Sequence, residues 1–300
     1  MESRLKSLSI ATPSTSPTVD HSLTARTVSC LSEVNADEWN ACAGNTNPFL
    51  SHAFLYALEE SGSCKAETGW LPQHLLLEDH DNELVGAMPM YVKGHSQGEY
   101  VFDHNWAHVY EKAGGHYYPK LQVSVPFTPA TGPRLLVPPG KDQERNRRLL
   151  IRAATQIADK LGVSSLHVTF ATKSEWTLMG DTGLLQRTGE QFHWKNAGYV
   201  NFNEFLENLT SRKRKSIRKE RARALADGIE IETLTGDSLK TEHWDAFFNF
   251  YTDTGNRKWG IPYLTRAFFD LIHEHMRDSI ALVMCQRNGR YIAGALNFIG

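Results

Sequence analysis

Residues 48–60 read PFLSHAFLYALEE, and residues 262–274 read PYLTRAFFDLIHE. The two stretches are identical at five positions, always 214 residues apart: Pro48/Pro262, Leu50/Leu264, Ala53/Ala267, Phe54/Phe268 and Glu60/Glu274. Each stretch is followed by an apolar run that contains Gly-Ala, VGAMPMY from Val85 and AGALNFI from Ala293. Two segments built to one pattern indicate duplication, so the sequence predicts two domains that share one fold.

The first copy alternates helical and strand patterns. Asn47-Pro48 suits a helix start, because Asn caps helices and Pro fits the first helical position. Strand patterns flank the turn residues 80–82, and residues 143–161 form an amphipathic helix that Gly162 ends. We therefore expect an α/β domain over residues 28–190, with a mixed sheet flanked by helices.

The second copy occupies residues 191–300 and starts in the same way. A strand pattern, IEIETL, precedes two helical patterns and a hairpin that turns on Asn288-Gly289. The later strands and the long helix of the first copy have no counterpart before Gly300. We therefore expect a chain truncated inside its second domain, with a gene that continues for about 90–100 codons by analogy between the repeats.

Composition narrows the class of protein. The 300 residues are 41% hydrophobic and carry a net charge of −2, which argues against wholesale binding to nucleic acid or membranes. No apolar run is long enough to span a membrane, and the four cysteines show no CxxC spacing, so we expect a cytoplasmic protein with reduced thiols. Residues 1–27 are rich in Ser, Thr and Pro, which predicts a disordered tail, with a transit peptide as the alternative.

Residues 212–223 read RKRKSIRKERAR, in which eight of twelve residues are basic. Like charges one helical turn apart destabilise an isolated helix, and bound phosphates would relieve that repulsion. We expect Arg214, Lys215 and Arg218 to contact an anionic ligand, either a diphosphate or tRNA phosphates. The alternatives are a solvated helix face and a nuclear-targeting signal.

This order of elements resembles the GNAT acyltransferase fold. Two such units joined by a basic helix that ends in Gly228-Ile229-Glu230-Ile231 are similar to the Fem-type peptidoglycan aminoacyltransferases. A closer resemblance, over residues 30–300, is to the FemAB-like peptidoglycan biosynthesis/recognition proteins. It rests on three stretches: NPFLSHAFLYALEESG (47–62), YYPKLQVSVPFTPATGPRLLV (117–137) and SRKRKSIRKERA (211–222).

The resemblance implies tandem GNAT-like domains and an N-acyltransferase. Such an enzyme would move an acyl or aminoacyl group from aminoacyl-tRNA or acyl-CoA to an amine, such as that of a cell-wall precursor. The alternative is a non-catalytic protein that binds an anionic cell-wall precursor or RNA through its basic helix. The Gly-rich donor loop of ordinary GNAT enzymes is replaced by Thr131-Gly132-Pro133-Arg134, so we expect no tightly bound cofactor.

Titratable and aromatic residues are densest over residues 100–118, which predicts a substrate groove. Asp103 or His104 is the expected general base, and Trp106 and Tyr118 are expected to bind substrate. Arg134 follows a Pro-Gly turn and is expected to contact an anionic substrate, with a salt-bridged structural role as the alternative. If this region is helical, His104, His108 and Glu111 share one face, but spacing alone is a weak metal signal and we expect no metal.

Overall fold

The computed structural model describes residues 8–9, 23–140, 142–258 and 260–300. The predicted tail, residues 1–27, lies largely outside the described residues. Residues 24–27 belong to a strand. The expected domain boundaries, at residues 28 and 190, stay predictions. None of the described helices combines the length and the apolarity that a membrane span requires.

Strands and helices alternate along the described chain. The strands are β1 (Leu8–Ser9), β2 (Thr24–Val28), β3 (Trp70–Pro72), β4 (His74–Glu78), β5 (Leu84–Met88), β6 (Met90–Lys93), β7 (Lys120–Val123), β8 (Leu166–Val168), β9 (Ile229–Leu234), β10 (Ile280–Arg287) and β11 (Arg290–Phe298). The helices are α1 (Ala36–Ala43), α2 (His52–Glu60), α3 (His104–Lys112), α4 (Gln143–Leu161), α5 (Lys173–Asp181), α6 (Phe202–Glu207), α7 (Ser211–Ala224), α8 (Thr241–Arg257) and α9 (Arg266–Met276). The predicted α/β class, mixed sheets flanked by helices, is confirmed.

The strands form sheets in the orders β1-β2-β4-β5, β3-β6-β7-β8 and β11-β10-β9. Pairing is antiparallel throughout except between β7 and β8, which are parallel. Leu136 forms an isolated antiparallel bridge to Ala87 in β5. The chain leaves the second sheet after β6 and returns to it at β7, and the segment 94–118 between these strands covers one face of that sheet.

Local signals explain the element boundaries. The predicted helix over 48–61 is divided: a short 3-10 turn, Pro48–Leu50, precedes α2, whose cap is Ser51 rather than Asn47. Helix α4 ends at Gly162, which has a φ of 64°. The β10–β11 hairpin turns on Asn288 and Gly289, both with positive φ, as its two-residue turn requires.

The two repeated segments have the same order of elements: strand, two helices, then a hairpin. In each sheet the first hairpin strand lies in the centre, β4 between β2 and β5, and β10 between β9 and β11. Helices α2 and α9 are capped at equivalent positions, where Ser51 accepts from Phe54 N and Thr265 accepts from Phe268 N. These observations support the duplication, which stays a prediction.

The repeated helices α2 and α9 pack against each other in opposite directions. Thr265 Oγ1 donates to the carbonyl of Ser61 at 3.0 Å, and Ser51 Oγ lies 4.0 Å from Met276 Sδ at the other end. One hydrophobic core therefore runs across both segments. A second core lies between α4 and the apolar face of the sheet that contains β6 and β7.

Candidate functional site

Strands β6 and β7 present two very different faces. Met90 and Val92 alternate with Tyr91 and Lys93, and the pairing places Lys93 opposite Lys120 and Tyr91 opposite Gln122. Met90, Leu121 and Val123 point into the second core. The opposite face is polar, yet its members are fully buried: Tyr91, Lys93, Lys120 and Gln122. We call these four residues the polar sheet face.

The segment that follows β6 covers the polar sheet face and brings two acids to it. Lys120 Nζ lies 2.7 Å from Glu99 Oε2 and 2.5 Å from Asp103 Oδ2. The acids are 3% and 2% exposed, so this is an ion cluster removed from solvent. Both carboxylates pair with the Lys120 ammonium, and such pairing offsets part of the cost of removing these charges from water.

Asp103 is held as an anion. It accepts hydrogen bonds from the hydroxyls of Tyr117 and Tyr118, each at 2.9 Å, as well as from Lys120. Burial alone would raise the pKa of Asp103, but the ammonium of Lys120 and the two phenols lower it to about 2. A carboxylate with so low a pKa is a weak base, and the catalytic role expected for Asp103 stays a prediction. Tyr118 is half-buried and oriented by this bond.

Glu99 is in the opposite situation. Its Oε2 binds Lys120, but its Oε1 is buried without a hydrogen-bond partner among the described residues. Burial raises the pKa of Glu99, against the lowering effect of Lys120. The Tyr91 hydroxyl and Gln122 Oε1 also lack partners. Buried polar atoms without partners indicate groups that a water molecule or a ligand satisfies.

Lys93 is also buried, but both acids bond to its neighbour. Its Nζ lies 3.5 Å from the centre of the Trp70 ring and 3.3 Å from the carbonyl oxygen of Gln97. Burial lowers the pKa of Lys93 to about 7, against the raising effect of the Glu99 charge. The polar sheet face therefore contains a basic side chain whose charge is poorly compensated.

The predicted residues on α3 lie outside this cluster. His104 and Trp106 are exposed, and Trp106 has 60% of its surface open to solvent. His104 Nδ1 is 3.4 Å from Ser96 Oγ, and its ring stacks on Phe102. The structure thus separates His104 from Asp103, its neighbour in sequence, because Asp103 points inward where the helix begins.

Arg134 is fully buried, and its guanidinium is used within the fold. It donates to the carbonyl oxygens of Thr169 at 3.0 Å, Pro133 at 3.0 Å and Ala130 at 2.6 Å. Burial lowers its pKa to about 10, and Glu175 acts in the opposite direction. These contacts fasten the loop 130–134 to the end of β8 and favour the structural alternative for Arg134, while its expected contact with an anionic substrate stays a prediction.

The basic residues of α7 are presented to solvent. Lys215 and Arg218 are exposed and Arg214 is half-buried. Among the described residues, no basic side chain of α7 belongs to an ion pair; Arg221 instead lies 4.3 Å from the ring centre of Phe202. An unneutralised stripe of this kind is suited to phosphates, although no described hydrogen bond joins it to the ion cluster.

Two other places in the described chain have features of a ligand site: a turn that gathers metal-type ligand atoms, and an open pocket. Within the described chain, metal-type ligand atoms come together in Asp79, His80 and Asp81, a largely exposed turn, whereas His104, His108 and Glu111 form no such group.

An open pocket of about 280 Å³ is lined in part by Glu59 and Cys64. Glu59 already binds His74 Nε2 at 2.6 Å and the Leu31 amide at 2.7 Å, so its carboxylate is structural.

Comparison with known families completes this picture. The family model FemAB-like, described as peptidoglycan biosynthesis/recognition, matches residues 30–300. The chain belongs to the FemAB-like family. The resemblance seen in the sequence is therefore confirmed, and all of the ion cluster and the basic helix lie inside the matched region.

Among solved structures, this FemAB-like chain is similar to a GCN5-related glucosamine N-acetyltransferase region of a fungal multi-domain GH3 β-N-acetylglucosaminidase. The identity is 12% and the TM-score 0.29, with 92% of this chain covered. The chain spans 28% of the length of that structure. No curated protein sequence matches the chain.

Sequence reasoning missed the centre of the cluster, namely Lys93, Glu99 and Lys120. Lysine and glutamate are almost never fully buried, so a sequence assigns them to the surface by default. The alternation of β6 and β7 gave no warning, because it places Lys93 and Lys120 on the face opposite the apolar core, which a sequence assigns to solvent.

Proposed function

We propose that this FemAB-like protein is an N-acyltransferase that transfers an acyl or aminoacyl group to an amine of a peptidoglycan precursor. Family membership supports the peptidoglycan context. The observation that carries the transfer reaction is the polar sheet face, where buried acceptor atoms of Glu99 and Gln122 have no partner. An amine offers N–H donors, and it is therefore the chemical complement of this surface.

The donor is proposed to bind through its phosphates. Both donors implied by the family resemblance, aminoacyl-tRNA and acyl-CoA, are polyphosphate or phosphodiester molecules, and α7 offers unneutralised arginines. Arginine binds phosphate in a bidentate manner, and a charge-assisted hydrogen bond is about twice as strong as a neutral one. Both donors are cytoplasmic metabolites, so the proposed reaction takes place in that compartment.

A second candidate is recognition without transfer. The absence of ion pairs from α7 in the described chain favours it, since an exposed basic stripe binds anions whether or not chemistry follows. In that case the ion cluster would hold the fold together, and its variants would lose stability and binding in parallel.

A transfer assay separates the two candidates. The protein is incubated with radiolabelled aminoacyl-tRNA or acetyl-CoA and an amine-bearing muropeptide precursor, and the product is identified by mass spectrometry. We expect a labelled amide with one donor and a lower rate of transfer in Glu99→Gln, because this change alters an acceptor proposed to bind the amine. The matched control is Glu144→Gln, which alters an exposed ion pair with Arg148. Binding of precursor without any amide product would favour recognition.

A further inference from the structure

Two buried lysines lie side by side in the second sheet. Lys93 and Lys120 are directly opposite each other across β6 and β7, and neither has measurable exposure. Like charges directly opposite each other in a sheet are destabilising. The arrangement therefore favours a state in which one of the two amines is neutral.

The contacts identify which lysine is neutral. Lys120 forms ion pairs with both carboxylates, Glu99 at 2.7 Å and Asp103 at 2.5 Å, and these pairs keep it protonated as an ammonium. Lys93 has no carboxylate within 4.0 Å among the described residues. Its neighbours are the Gln97 carbonyl and the Trp70 ring. A buried charge without a counter-ion is costly, so Lys93 is the amine that gives up its proton.

Several charged or titratable groups surround Lys93. The charged or titratable groups that act on it are Glu99 and Asp103 from the covering segment, Lys120 from β7, and Cys64 from the loop after α2. Burial raises the pKa of the Cys64 thiol well above its usual value, so that thiol is neutral. Of these groups Glu99 exerts the largest charge effect on Lys93, and its Oε1 has no hydrogen-bond partner among the described residues.

An aromatic row leads from Lys93 to the surface between the two repeated segments. Trp70 meets Phe127 with ring centroids 5.4 Å apart, and Phe127 stacks on Tyr263 at 4.9 Å and 11°. Tyr263 is 39% exposed and belongs to the second segment. For a substrate amine to reach Lys93 along this row, the covering residues 94–99 have to move aside, and that movement is part of the proposal below.

We propose that the neutral Nζ of Lys93 is the proton acceptor of the transfer reaction, an inference that rests on the proposed function. The substrate amine attacks the acyl carbonyl and a C–N bond forms. Nζ takes the proton that the nitrogen must lose. The C–O bond of an ester donor, or the C–S bond of a thioester, then breaks, and Nζ returns the proton to the leaving oxygen or sulfur. Lys93 ends the cycle as the neutral amine.

The closing experiment measures transfer by wild type, Lys93→Met and Lys93→Ala, with Lys160→Met as a control on an exposed lysine. We expect kcat to fall by about 100-fold or more in both Lys93 variants with little change in the donor KM. Added primary amines should restore turnover to Lys93→Ala, and the restored rate should increase with the basicity of the amine. A lysine with a purely structural role gives no such dependence.

The transfer assay has two outcomes that contradict different claims, and an NMR titration tests Lys93 independently of activity. If wild type makes no amide with any donor, the proposed function fails, and the proton-acceptor role fails with it. If wild type is active and Lys93→Met retains its kcat, only this inference is overturned. An activity-independent readout is NMR of protein labelled with ¹³C at the lysine ε-carbon. A resonance that is absent from Lys93→Met should titrate near pH 7, and titration near pH 10 instead would contradict the inference.

Discussion

Phe54 and Phe268 occupy equivalent positions in the two repeated stretches, and their rings meet edge to face with centroids 5.8 Å apart. At one end of the α2–α9 pair Ser51 contacts Met276, and at the other end Thr265 contacts Ser61. Each helix start therefore lies against the other helix's end, and the phenylalanine pair lies between these contacts. This antiparallel arrangement is consistent with duplication, which stays a prediction.

Truncation of either phenylalanine should destabilise the whole chain. Phe54→Ala and Phe268→Ala are each expected to lower the free energy of unfolding by about 3–5 kcal/mol, since both side chains are buried in the shared core. Because the rings touch, the double variant should lose less than the sum of the single losses. Urea unfolding measures all three, and Val109→Ala, an exposed position on α3, is the control. Strictly additive losses would contradict direct coupling.

Stability should rise with pH in a window that Lys93 defines. Its pKa is about 7 in the folded chain and 10.5 for the free side chain, so the unfolded state binds more protons between these values. The free-energy cost of burying the Lys93 ammonium is fully present below about pH 7, and it disappears as the pH approaches 10.5. Thermal unfolding of wild type and Lys93→Met over this range should show a difference in Tm that shrinks as pH rises. A difference independent of pH would show that Lys93 is charged in the fold.

Arg134 is expected to be a stability determinant. Arg134→Met leaves three carbonyl oxygens without their donor, and each such group costs about 1–3 kcal/mol when it stays buried. We expect a loss of at least about 3 kcal/mol by chemical unfolding. Arg134→Lys should recover only part of it, because a single ammonium cannot reproduce the planar donor set. An unfolding free energy equal to that of wild type would restore the substrate-binding interpretation.

The basic helix should affect binding and leave folding nearly unchanged. Arg214→Ala combined with Arg218→Ala should weaken binding of deacylated tRNA and of pyrophosphate by about 1.5–3 kcal/mol per lost charged hydrogen bond. The effect should shrink in high salt, because exposed charges are screened beyond about 8 Å at physiological ionic strength. Arg152→Ala, an exposed arginine on α4, is the matched control. Unchanged binding with a lower Tm would assign these arginines a structural role.

Local patterns in the sequence determined much of the architecture. Helix α4 was predicted with its observed ends, because an amphipathic stripe and a terminating glycine act within a few residues of each other. The Asn288-Gly289 hairpin and the basic helix α7 follow from equally short-range rules. The FemAB-like family could also be identified from the sequence, because the resemblance rests on long stretches of consecutive residues.

The candidate site was decided by tertiary structure. Asp103 was identified from composition, but its inward direction and saturated hydrogen bonds arise from Lys120 and Tyr117, which come later in the chain. Lys93 meets Lys120 only through the strand register, and a shift of one residue would send both side chains to the other face. Burial is a property of the whole fold, and a lysine becomes a base only when the fold removes its water and gives its counter-ions to a neighbour.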